Sequence, residues 1–149
     1  MAYIPENAKW YLATLVEEIT VDGETTNIIH KNLVLVRADS PEQAYERAHE
    51  LGTQAELEYE NPGGKTVRVK FRGLNTLNVI HEELEDGAEL QYEELRGLSA
   101  DEVEGLIRRK EDLPVFRPLT PTAGPDYSSR EVLEKAARFW SRTDADRLL

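Results

Sequence analysis

His30, His49 and His81 are the three imidazoles of the chain, and no two share a spacing such as H-x-x-x-H that would set a pair on one helix face for a metal ion. There is no cysteine to add a thiolate or form a disulfide, so neither a metal centre nor a covalent staple is expected; His81 beside Glu82 and Glu83 is the one place where ligands gather. Carboxylates are denser. Glu82, Glu83, Glu85, Asp86, Glu89, Glu93 and Glu94 could supply two neighbours for general acid–base work, which would require them to sit in different surroundings. The same residues suit an exposed edge hairpin guarded by charge. No G-x-S-x-G, P-loop or dinucleotide glycine motif occurs, so the nucleophiles reduce to unaccompanied Ser and Thr, and no cofactor is expected. The third constellation is basic: Arg68, Lys70 and Arg72, joined by Lys65, alternate along one segment. They could contact an anionic ligand or an acidic partner, or pair with carboxylates on neighbouring strands.

The elements that would position these residues are organised around LVLVRADSPEQAYERAHEL, residues 33–51, which turns from a strand into a capped helix within a few residues. The apolar run Leu33–Val36 reads as a strand covered on both faces. Ser40 is placed to accept from the amide of Gln43, with Gln43 reaching back to the amide of Ser40 and Pro41 where a missing N–H costs nothing. Ala44, Ala48, Leu51 and Ala55 then recur at helical spacing, a narrow stripe that would lie close to a sheet. Ahead of it, WYLATLVEEITV (residues 10–21) reads as a long central strand, Asp22-Gly23-Glu24 as a turn, and 28–36 as its antiparallel return.

After the helix, which breaks at Gly52 or runs on to Tyr59, Asn61-Pro62-Gly63-Gly64 forms a turn. KTVRVKFRG (residues 65–73) follows as a strand with Val67, Val69 and Phe71 inward and Arg68, Lys70 and Arg72 outward. Residues 74–78 suggest a bend, and 79–84 with 88–95 a hairpin about Glu85-Asp86-Gly87. Ser99-Ala100-Asp101-Glu102 caps a second helix of about three turns, ending in Arg108, Arg109 and Lys110. The expectation is an α+β domain in β-β-α-β-β-β-α order with an antiparallel sheet, spanning residues 9–113. A Pro-rich tether over 114–127 and an amphipathic helix over 128–142, opened by Ser128-Ser129-Arg130-Glu131, complete the chain. Val132, Leu133, Ala136 and Trp140 form the apolar stripe of that helix and are expected to bind a partner.

The chain has 149 residues, 18 basic against 29 acidic, for a net charge of −11. That charge favours solubility and repels nucleic-acid phosphates, which disfavours a DNA or RNA binder and leaves open acidic mimicry of nucleic acid. No apolar run is long enough for a membrane helix, and MAYIPENAKW lacks the basic start and apolar core of a secretory signal; a cytoplasmic protein without membrane attachment is expected. WYLATLVEEI, NLVLVRADSPEQAYERAHELG and FRGLNTLNVIHEELEDGAEL together resemble a family of small bacterial proteins of unknown function. In that family a Trp-Tyr opening strand precedes a Ser-Pro-Glu helix and a Glu-Asp-Gly-Ala-Glu hairpin. The likeness covers residues 9–95. It implies a compact stand-alone domain and brings neither an activity nor catalytic residues; residues 114–149 lie outside it. Three functions follow in order: a non-enzymatic interaction domain that forms a homodimer or binds another protein, a binder of a small anion through Arg68, Lys70 and Arg72, and a carboxylate enzyme using Glu82, Glu85 or His81.

Overall fold

A computed structural model describes residue 4, residues 6–118 and residues 123–147, with the helix but not the side chains given for 140–147. The chain divides into two compact units, Met1–Leu90 with Gly124–Leu149, and Gln91–Ala123. The first unit has the expected α+β architecture. Four antiparallel strands, β1 (Trp10–Val21), β2 (Ile28–Arg37), β3 (Leu57–Glu60) and β4 (Thr66–Val79), pair in the order β2-β1-β4-β3, and helix α1 (Pro41–Gln54) packs on one face.

β1 is central because both of its faces are apolar: Tyr11, Leu12, Ala13 and Leu15 are all buried. β2 is not covered on both faces as the run Leu33–Val36 suggested. It is the outermost strand, and while Val36 is buried under α1, Leu33 and Leu35 remain 57% and 45% exposed on the opposite face. A continuous apolar run specifies a strand but not whether a second neighbour or layer will reach it.

α1 starts where its cap requires. Ser40 Oγ accepts from the Gln43 amide at 3.1 Å, and the reciprocal bond shifts by one residue, Gln43 Oε1 accepting from the Asp39 amide at 2.6 Å instead of that of Ser40. Replacing Ser40 with alanine should lower stability by about 1 kcal/mol, the usual worth of such a cap, read as a lower denaturation midpoint. An unchanged midpoint would place the start of the helix elsewhere. Ala44, Ala48 and Gly52 are the buried line of α1, with Leu51 partly buried beside them. The helix runs through Gly52, and a Cβ there would come within 2.5 Å of the Phe71 ring, so glycine is what lets the helix approach β4.

Past Gln54 the chain turns into β3, a strand the sequence pattern did not indicate, which pairs with the start of β4 across the Asn61–Gly64 turn. β4 in turn absorbs the bend expected at 74–78. Thr14 pairs with Thr76 but Leu15 with Leu74, and Val16 with Gly73 but Glu17 with Phe71, so Asn75 and Arg72 are extra residues in the strand. Gly73 has φ 137, a conformation that side chains rarely adopt, and it keeps one 14-residue strand continuous through both bulges.

The hairpin expected over 79–84 and 88–95 is not formed among the described residues. Its turn exists, the Ala88 amide donating to the Glu85 carbonyl at 3.0 Å, but no ladder extends from it. Like charges facing across a ladder oppose pairing, and these flanks are rich in carboxylates. Residues 91–118 have no buried side chain. Within them α2 (Ala100–Leu106) is capped by Ser99 as expected but ends after seven residues, shorter than the three turns anticipated, because Gly105 weakens its last turn. α3 (Arg130–Arg147) is longer than expected, and the cap is Ser129, whose Oγ accepts from Val132, while Ser128 bonds Asp126.

Candidate functional site

Arg68, Lys70 and Arg72 all lie exposed on the face of the sheet away from α1, since the alternating Val67, Val69 and Phe71 pack toward the two apolar clusters. Carboxylates lie against two of the three. Arg68 is held by Asp22 at 2.5 Å and Glu58 at 3.3 Å, and these carboxylates, Asp22 first, raise its already high pKa. Arg72 lies 3.8 Å from Glu18, and Lys65 pairs with Glu24 at 3.3 Å. Carboxylates of the neighbouring strands and of the turn after β1 thus lie against Arg68, Arg72 and Lys65, and an anion there would have to displace them.

Glu82, Glu83, Glu85, Asp86 and Glu89 are exposed around the Glu85–Ala88 turn, and Glu93 and Glu94 are exposed in the second unit. None sits in the low-dielectric surroundings that would set one carboxylate apart from another. His49 lies between the Tyr45 and Phe71 rings, at 4.5 and 5.4 Å, and His30 meets Tyr127 edge-on at 5.3 Å. His81, Glu82 and Glu83 border a depression of about 260 Å³ beside Trp10, Ile80 and Leu84. Among the described residues no three His, Asp or Glu side chains gather for a metal ion, and no helix is long and apolar enough to cross a membrane.

The C-terminal residues come closer to the sheet than a free tether would. Asn61, only 4% exposed, donates from Nδ2 to the Asp126 carbonyl at 3.0 Å while its Oδ1 accepts from the Lys65 amide at 2.9 Å. Tyr59 Oη donates to the Tyr127 carbonyl, and burial there raises its phenol pKa. Asp126 is pulled below the usual carboxylate range by the hydroxyl and amide of Ser128. These bonds lie over the smaller apolar cluster of Ile19, Val21, Val67 and Val69, packed with Ile28 and Tyr59. No sequence signal joined Asn61 to Asp126, which are 65 residues apart.

Among the described residues of this unit, apolar side chains are exposed on α3 and on β2. On α3, Val132 and Leu133 are 61% and 48% exposed, with Ala136 partly buried; the side chain of Trp140 lies outside the described residues. On β2, Ile29 joins Leu33 and Leu35 on the face away from α1. The sequence showed the α3 stripe through its helical spacing, whereas the β2 surface depends on strand order and was not visible there.

No curated protein and no solved structure matches the chain. A family model does match, over residues 10–92, from the Trp-Tyr opening of β1 past the turn at Glu85. That stretch holds the whole sheet and α1 and is more than half of the chain, which therefore belongs to the family described as Domain of unknown function (DUF4288).

Proposed function

We propose that this domain acts by binding protein rather than by catalysis, and that its partner is a second copy of the same chain. The supporting observation is α3: an 18-residue helix whose Val132 and Leu133 stay exposed although its leading segment is bonded to Asn61 and Tyr59. Helices gain most of their stability by packing an apolar face, and Val132 and Leu133 of that face are exposed. Twofold pairs are the commonest oligomers, and an exposed terminal element is a low-cost way to build one. Trp140 continues the stripe by its spacing and would serve as an aromatic anchor.

The test is the double substitution Val132→Glu and Leu133→Glu in the full chain. Both side chains are already exposed, so the fold should survive, with an unchanged melting transition for the sheet. Light scattering should give a dimer for the unaltered chain and a monomer for the variant. A variant that stays dimeric would remove α3 from the interface, and a monomeric unaltered chain would end the proposal.

A further inference from the structure

The two edges of the sheet differ in how they are finished. β3 is a four-residue edge, LEYE, carrying Glu58 and Glu60, which is how proteins commonly keep an edge from pairing. β2 is ten residues long, without proline and with no break in its register against β1, and it keeps Ile29, Leu33 and Leu35 exposed. Lys31 and Arg37 are its only charges apart from His30, and an edge of this length presents a row of backbone donors and acceptors that another strand can complete.

We infer that the outer edge of β2 is where two copies of this chain join, each β2 pairing antiparallel with the β2 of the other. The inference rests on the reading of the domain as self-associating and names the surface that does it. Charge allows the arrangement. With the twofold axis at Asn32, Ile29 lies opposite Leu35 and Lys31 opposite Leu33; with the axis at Leu33, Lys31 lies opposite Leu35 and Ile29 opposite Arg37. No charge meets its like in either register, whereas an axis at Lys31 would oppose two lysines.

Size is consistent with α3 taking part. A ten-residue edge is roughly 34 Å long, and a strip of that length about 10 Å deep covers on the order of half the ~800 Å² per partner that a stable interface buries. Tyr127, three residues ahead of the start of α3 at Arg130, packs against His30, which projects from the α1 face of β2, opposite to Ile29, Leu33 and Leu35. α3 therefore starts close in the chain to a segment that touches His30 of β2 and is bonded to Tyr59 and Asn61.

Because the chain has no cysteine, single cysteines report the pairing cleanly. Directly opposed residues of antiparallel strands have Cα atoms about 4.5–5.5 Å apart, within the span of a disulfide. Asn32→Cys or Leu33→Cys, whichever lies at the axis, should cross-link the full-length dimer on mild oxidation, and Glu58→Cys on the other edge should not. A dimer in which neither β2 cysteine cross-links, or in which Glu58→Cys does so as readily, overturns the inference while leaving self-association standing. A chain that is monomeric at every concentration overturns both. Should a substitution disturb folding, hydrogen exchange of the unaltered chain serves instead: β2 amides should slow as the dimer fills while β3 amides do not, and concentration-independent exchange along β2 would overturn the pairing.

Discussion

Replacing Ala48 with leucine should destabilise the domain by about 3 kcal/mol, the upper end of what overpacking a core normally costs. Ala48 has no exposed surface, and it lies between Ala44 and Gly52 on the line of α1 that rests on the sheet. How close that line lies is measured at Gly52, where a Cβ would stand 2.5 Å from the Phe71 ring. Leucine at 48 therefore has no free volume to enter and must lift the helix or displace Tyr11, Ala13 and Val36 beneath it. The comparison is Glu46→Leu on the exposed side of the same helix, which should change stability by about 0.5 kcal/mol or less. Urea denaturation of both variants decides the point: equal midpoints would mean that α1 rides further from the sheet than the approach at Gly52 requires.

Asn61→Ala should cost about 2 kcal/mol, because it removes two hydrogen bonds of roughly 1 kcal/mol each from a buried side chain. One of these holds the β3–β4 turn through the Lys65 amide, and the other holds the Asp126 carbonyl. Loss of the second should also free residues 124–129 from the smaller apolar cluster. A protease should then cut the variant after Tyr127 or Arg130 faster than the unaltered chain. A drop in stability without faster cleavage would assign Asn61 to the turn alone, and faster cleavage without a drop in stability would assign it to the C-terminal segment alone.

The parts of this fold legible in the sequence are those fixed by neighbours a few residues away. The Ser40 cap, the helical spacing of Ala44 and Ala48, and the alternation Val67-Val69-Phe71 each state their local conformation and their inward side. What escaped depends on distant residues. Leu33 to Val36 read as interior because a strand does not encode whether a second neighbour will pair with it, and β2 is an edge. Leu74–Asn78 read as a bend because two bulges in β4 break its alternation without ending its pairing to β1. The flanks of Glu85–Ala88 carry strand-forming residues, but their carboxylates outweigh that propensity. Among the candidate sites, the exposure of Arg68, Lys70 and Arg72 followed from alternation, whereas Asp22, Glu58 and Glu18 as their partners follow from the pairing of β1 and β3 with β4. The stripe on α3 was visible in its spacing; the open side of β2 was not, since strand order sets it.

Self-association through apolar surfaces and anion binding through Arg68, Lys70 and Arg72 respond to salt in opposite directions. Each copy carries a net charge of −11, so two copies repel at long range, and added salt would screen that repulsion without weakening the burial that a dimer would give the now exposed Val132, Leu133 and Leu33. Binding to the basic stripe would instead weaken as salt rises. The most direct test is sedimentation of the unaltered full chain over a wide range of protein concentration at low and at high sodium chloride. A monomer–dimer equilibrium that shifts toward dimer with added salt is the expected result. A monomer at all concentrations, or a dimer that salt dissociates, would contradict it.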